Sequence, residues 1–160
     1  MSDRVPMTPK GHAMLEAELK QLKKLDRPKI VHEIEIARAH GDLKENAEYH
    51  AAKDRQGHIE GRIALLDDKL ARAQIIDGKG QGTDRVSFGA TVVLSDVDSG
   101  DEVTYRIVGE DEADVGQGMI SITSPIARAL MGKEADASVR VRVPKGTREF
   151  EILAIRFDPT

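Results

Sequence analysis

Tyr49, Ala52, Gln56, Ile59, Ile63, Leu66, Leu70 and Ala73 follow one another in alternating steps of 3 and 4, and only Gln56 among them is polar. A strict mean period of 3.5 residues specifies an α-helix with one narrow apolar seam, the pattern of a left-handed coiled coil. Such a helix has to bury its seam against another, and a partner lies directly upstream. Leu15, Leu19 and Leu22 step by 4 and 3, and the pattern resumes at Ile30, Ile34 and Ala37. Between them Asp26 stands where an apolar residue would continue the series. Pro28 cannot donate to residue 24 and crowds that carbonyl. The first arm therefore reads as one long helix, kinked or locally irregular near Pro28 and ending around His40. Thr8-Pro9 starts it, with a hydroxyl at the N-cap and proline at the first helical position. Gly41 suits the left-handed position that ends many helices.

The connection between the two helices is short, which makes them antiparallel neighbours within one chain. Each arm has roughly 30 residues, so the hairpin is on the order of 45 Å long at 1.5 Å per residue. Towards the turn the apolar residues shrink to Ala37, Ala47, Ala51 and Ala52, predicting a slender tip. Residues 1–77 form this hairpin domain. Residues 78–84 read as a linker: Gly78, Gly80 and Gly82 are spaced through a stretch without an apolar side chain. Residues 85–160 change period to 2. Thr91–Leu94, Glu102–Val108, Ser138–Val143 and Glu149–Ile155 read as strands, and Met119–Ile122 as a further short one. Ser124-Pro125 through Gly132 is a complete short helix, with its cap, its proline start and its glycine exit. The fold class is α+β: an N-terminal antiparallel α-helical coiled-coil hairpin followed by a small antiparallel sheet with a short helix.

Charge and composition limit the function classes. Residues 1–77 carry 14 basic and 14 acidic side chains, while the remainder carry 10 and 14, so the net charge of −4 lies in the second half. A free nucleic-acid binder exploits counterion release from a basic surface, so this chain is expected to bind DNA or RNA poorly unless a partner brings them together. The chain has no cysteine, which removes disulfides, thiolate metal sites and cysteine nucleophiles. Residues 1–10 show no basic segment followed by an apolar core, and no apolar run could cross a membrane. A cytoplasmic protein is the expectation. The five histidines do not suggest a metal site, since His32 and His40 are two helical turns apart, as are His50 and His58.

Asp42 and Glu45 occupy the turn of the hairpin, and their spacing admits two readings. One is a capping box, with Asp42 accepting from the backbone of the second helix and Glu45 reaching back. The other is a pair of hard oxygen ligands for a divalent ion such as Mg²⁺, completed by ligands from elsewhere. Spacing does not decide between them. Asn46 is an alternative cap. Tyr49 belongs to the seam series, with stacking on a base as its other possible use.

The segment Arg38-Ala39-His40-Gly41-Asp42-Leu43-Lys44-Glu45-Asn46-Ala47-Glu48-Tyr49-His50-Ala51-Ala52-Lys53 resembles the hairpin tip of the bacterial Gre transcript-cleavage factors, in the GreA-like branch. The similarity extends to Pro6-Met7-Thr8, Glu60-Gly61-Arg62-Ile63, Ala73–Asp77 (taken as helical), Phe88–Val92, Thr104–Gly109 and Ser124–Arg128. It implies an FKBP-like second domain that anchors on bacterial RNA polymerase, and a monomer whose hairpin enters the polymerase secondary channel. It further implies that Asp42 and Glu45 help to hold a second Mg²⁺ in the polymerase active site, with no cofactor bound tightly to the factor alone. The polymerase would then cleave its own backtracked RNA at the extruded 3′ end. Arg38 and Lys53 match the family's RNA-contacting basic patch, where Lys53 replaces a frequent arginine and Arg55 could compensate; solvated surface charge is the other reading of each. Ser124 and Pro125 are the candidates for the polymerase contact, or simply a helix start. The acidic stretch Glu110-Asp111-Glu112 with Asp114 reads as a solvated loop that could steer docking. Proline isomerase activity is not expected, because only Phe88, Tyr105, Phe150 and Phe157 could wall a pocket.

Two rivals remain in view. A regulator that merely occupies the channel would share the fold but would not need a pair of carboxylates. An independent nuclease or isomerase would need a nucleophile–base arrangement or a self-sufficient metal site, and neither is visible.

Overall fold

The structure, a computed structural model, describes residues 4–42, 44–78 and 82–158. The chain folds as two compact units. One is His12–Ala73; the other joins the residues up to Gly11 with those from Gln74 onward.

In the first unit, α1 (Pro9–Gln21) runs through a five-residue π-helical stretch, Leu22–Asp26, into α2 (Arg27–Arg38). The irregularity expected near Pro28 is this stretch, closed by Arg27 N–H donating to Leu22 O. Its cause lies in the seam. Leu15 to Leu22 and Ile30 to Ala37 each span 7 residues, but Leu22 to Ile30 spans 8. A π turn absorbs one extra residue, so Ile30 returns to the seam. Ile30, Ile34 and Ala37 are all buried. The returning helix α3 (Ala47–Ala71) is continuous, with Ala52, Ile63 and Leu66 buried and the intervening residues largely exposed. Tyr49 and Ile59 pack against Ile30, Ile34 and Ala52.

Ion pairs flank the seam. Arg62 grips Glu18 through two bonds of 2.6 and 2.8 Å, and Arg27 grips Glu60 through two of 2.8 Å. Hydrogen bonding from Arg62 holds the Glu18 carboxyl below its usual range, and Arg27 does the same for Glu60. Lys23 adds a 3.3 Å contact to Asp67.

The second unit is built on a five-stranded sheet in the order β5-β4-β3-β7-β6, from β3 (Thr91–Asp96), β4 (Glu102–Val108), β5 (Met119–Ser121), β6 (Ser138–Val143) and β7 (Gly146–Arg156). All pairings are antiparallel except β4 with β5, which is parallel, so the sheet is mixed where an antiparallel one was expected. The link between β4 and β5 is not a hairpin; it passes through a 3₁₀ turn at Val115–Gln117. α4 (Pro125–Leu130) closes the core with Ala127 and Leu130, against Val92, Leu94, Ile107, Val141 and Ile152. A bulge interrupts β7. Val93 pairs with Ala154 but Leu94 with Ile152, so Leu153 is the extra residue and faces outward, while the buried series shifts from Phe150 and Ile152 to Ile155.

Ala73–Ile75, read from sequence as the end of the second helix, is instead a strand, β2, paired with β1 (Val5–Met7). Ile76 N–H donates to Met7 O at 2.9 Å, and Ile76 packs on the core of the sheet unit. β-Branched Ile75 and Ile76 suit an extended pairing better than a helix end. Residues 4–11 and 74–77, assigned from sequence to the hairpin domain, thus group with the sheet. Of the expected linker, residues 79–81 lie outside the described residues. No helix among the described residues is long and apolar enough to cross a membrane.

Candidate functional site

The turn between α2 and α3 is built by hydrogen bonds that do not follow the capping-box expectation. Gly41 adopts φ +111°, as the chain reversal requires. The N-cap of α3 is Asn46, whose Oδ1 accepts from Tyr49 N–H at 3.0 Å. Its Nδ2 donates to Ala37 O at 2.6 Å, across to the end of α2. Asp42 lies four residues before Asn46; its Oδ1 instead accepts from Lys44 N–H at 2.9 Å, a local turn. Glu45 makes no hydrogen bond or ion pair among the described residues. The capping reading of Asp42-x-x-Glu45 therefore fails, because the helix begins at Ala47 and Asn46 already satisfies its N-terminus.

Asp42 and Glu45 are exposed, and they line one open depression of about 490 Å³ with His40, Asn46, Ala47 and Glu48. Glu48 is a carboxylate that sequence reasoning did not single out, although it sits one turn beyond Glu45. Carboxylate oxygens suit a hard cation. Yet among the described residues no three His, Cys, Asp or Glu side chains are grouped so as to hold one. As hard oxygen donors they suit part of a Mg²⁺ shell.

Below the tip the two faces of the hairpin differ. Arg38 and Lys53 line a groove of about 220 Å³ with Val31, Ile34, Glu35, Tyr49 and Gln56. Lys53 Nζ donates to Gln56 Oε1 at 3.1 Å. Tyr49 both packs in the seam and borders this groove, its ring 5.5 Å from the His50 ring in an edge-on arrangement. Arg55 does not join Arg38 and Lys53. Two residues on a helix are separated by about 200°, and Arg55 borders the opposite groove with Glu33, Ala37, Glu48 and Ala52. There its Nη2 is 3.0 Å from Glu33 Oε2, an ionic contact without hydrogen-bond geometry. In this arrangement Arg55 does not share the groove of Arg38 and Lys53.

In the sheet unit, Ser124 Oγ caps α4 by accepting from Ala127 N–H at 3.2 Å, and Pro125 is exposed at the first helical position. The next residue, Ile126, lines a groove of about 450 Å³ with Val103, Tyr105, Val143 and Phe150. Its rim carries Arg148 above the Phe150 ring, held by Asp96. Hydrogen bonding from Arg148, then from Ser99 and Asp98 N–H, keeps the Asp96 carboxyl below its usual range. Phe88 is in the core and Phe157 packs against it, so two of the four aromatics reach the groove.

Glu112 is not part of a solvated acidic loop. Its carboxylate accepts from Thr8 N–H and Gly109 N–H, each at 3.1 Å, and from the Thr8 hydroxyl. Thr8 Oγ1 in turn accepts from Gly11 N–H at 3.1 Å, which makes Thr8 the N-cap that the sequence predicted for α1. A single acid thus ties the helix start to the β4–β5 connection.

The family description "Transcription elongation factor, N-terminal" matches residues 5–75, and "Transcription elongation factor, GreA/GreB, C-term" matches residues 81–157. A protein of Hyphomonas neptunium named Transcription elongation factor GreA is 60% identical over 153 residues, 96% of this chain and 98% of its own. One of the same name from an Anaeromyxobacter species is 60% identical over 154 residues, covering 96% and 93%. The solved structure of GreA factor homolog 1 from Thermus thermophilus is 28% identical over 96% of this chain and 99% of that one, at a TM-score of 0.43, and adds nothing to the assignment. Both halves of the chain match, in order and over nearly their full length: it belongs to the GreA/GreB family of transcription elongation factors.

Proposed function

We propose that this protein binds bacterial RNA polymerase, passes its hairpin tip through the secondary channel and stimulates the polymerase's own cleavage of backtracked RNA. The observation that carries the proposal is the freedom of the tip acids. Asp42 and Glu45 stand exposed on one depression while Asn46 caps the helix; Asp42 spends one oxygen on Lys44 N–H, which leaves its other oxygen and the Glu45 carboxylate open to a ligand. They would hold a Mg²⁺ shared with the polymerase. When bound there, the ion supplies charge neutralisation and an activated water for displacement at phosphorus.

The rest of the chain positions and orients. The seam and its flanking ion pairs hold the two arms together behind the tip. Arg38 and Lys53, in one groove beside Tyr49, offer two cations to the phosphates of the extruded RNA, and Arg55 on the other face takes no part. Ser124 and Pro125, at the start of the short helix whose Ile126 lines the apolar groove, are the contact with the polymerase, Ser124 also capping that helix. The protein is then a donor of carboxylates and has no catalysis of its own.

The test is RNA cleavage by a stalled, backtracked polymerase in Mg²⁺, with and without the protein. Stimulation is expected with the wild type. Asp42→Ala and Glu45→Ala should each lose at least about tenfold in rate, as expected for groups that organise a metal, while still competing with wild type for the polymerase. A variant that binds and cleaves at the wild-type rate overturns the role of that residue. Binding without any stimulation by the wild type would favour a channel-occupying regulator.

A further inference from the structure

Asn46 is the only asparagine in the chain, and its carboxamide touches both arms of the hairpin. We infer that Asn46 is the positioning residue of the tip, which sets where Asp42 and Glu45 stand by closing both helix ends with one side chain. The last carbonyls of a helix and the first N–H groups of the next lack partners. Asn46 bonds at both ends: Oδ1 accepts from Tyr49 N–H at 3.0 Å, and Nδ2 donates at 2.6 Å to Ala37 O, which His40 N–H also reaches at 3.1 Å. The segment between is held by two further contacts. Asp42 Oδ1 accepts from Lys44 N–H at 2.9 Å, and His50 Nε2 lies 3.3 Å from Lys44 O.

The dual role explains the residue type. Aspartate and serine cap helices about as well as asparagine does, and threonine somewhat less well. None of them supplies an amide N–H and a carbonyl oxygen on one rigid plane. Asn46→Asp separates the two bonds: it keeps the acceptor for Tyr49 N–H and turns a second acceptor towards Ala37 O. The helix should stay capped while the clamp opens. The inference rests on the proposed metal-delivering role, since it concerns how the same carboxylates are placed.

Two measurements on the full chain test it. In ¹⁵N NMR of the protein alone, one wild-type Asn46 Nδ2 proton should exchange more slowly than the side-chain amides of exposed glutamines. Asn46→Asp should retain protection of Tyr49 N–H but show increased backbone motion at Asp42, Lys44 and Glu45. In the cleavage assay, Asn46→Asp should lower the maximal stimulated rate about tenfold, a misplacement effect, and raise the Mg²⁺ concentration needed. The protein concentration for half-maximal effect should change by less than about twofold, because the polymerase contact is elsewhere. Asn46→Ala should lose both the Tyr49 protection and the rate. Unchanged motion, or a wild-type rate in Asn46→Asp, overturns the inference. If the wild type itself stimulates nothing, the proposed function falls and the NMR comparison alone decides the clamp.

Discussion

Gly109 has no room for a side chain: a Cβ there would lie 2.7 Å from the Pro6 carbonyl oxygen and 3.1 Å from Glu112 Oε2. The backbone oxygen cannot rotate away, so Gly109→Ala must push β1 off the β4–β5 connection. Urea unfolding should show a loss of about 1–3 kcal/mol, the cost of forced overpacking. An unchanged midpoint would mean that β1 is not held there. Glu112 is the chemical centre of the same contact, receiving two N–H groups and a hydroxyl. From sequence it was one acid among four, because nothing in a stretch of adjacent acids says which of them will find backbone donors a hundred residues away. The tip shows the same ambiguity. Asp42 and Asn46 are both good capping residues, and only the observed start of α3 decides that Asn46 is used.

At the scale of the element, α3 contains two glycines that serve no visible steric purpose. A Cβ at Gly57 or Gly61 would meet nothing within 4 Å, and neither residue has positive φ. Gly57→Ala and Gly61→Ala should each raise hairpin stability by about 0.5–1 kcal/mol through helix propensity, measured as a higher thermal midpoint of the helical circular dichroism signal. A fall would reveal a constraint that the free chain does not display. The hairpin should also be acid-sensitive. Glu18 and Glu60 have their carboxyls depressed by Arg62 and Arg27. The unfolded chain therefore takes up protons first as the pH falls, and the stabilisation is present above about pH 4.5 and lost below it as the folded carboxyls protonate. The helical midpoint should drop between pH 5 and pH 3, and high salt at neutral pH should weaken the same pairs. A Glu18→Gln, Glu60→Gln double variant should show a smaller drop. The seam of α3 was legible because burial repeats in step with the sequence. The π stretch was legible only as an irregularity, since a proline signals disruption without specifying its form; the eight-residue gap between Leu22 and Ile30 carries that information.

For the whole molecule, the charge distribution predicts weak binding to free nucleic acid. The hairpin half is neutral and the remaining half carries the net charge of −4. At about 0.15 M salt, mobility-shift assays with free RNA or DNA should show no complex in the micromolar range, because few phosphate counterions would be released. Tight binding to free RNA would contradict the proposed route through the polymerase. Free RNA incubated with the protein and Mg²⁺ should also stay intact, because the proposed role leaves the remaining metal ligands to the polymerase.

The sequence by itself determined what depends on periodicity and local chemistry: the seam of the hairpin, the alternating strands, Thr8 and Ser124 as helix caps, and Gly41 at the reversal. Each of these follows from residues within a few positions of one another. Tertiary structure decided the rest. It chose Asn46 over Asp42 as the cap, turned Glu112 inward, paired β1 with β2, made β5 parallel to β4, and put Arg55 on the face opposite Arg38 and Lys53. These outcomes depend on which donors and acceptors distant segments bring together, and residues of equal local propensity are distinguished only by the partners they meet. The pair at the turn illustrates both. Its location was legible in the pattern of two helices and a glycine, while its release from capping emerged only when another side chain was found closing the helix.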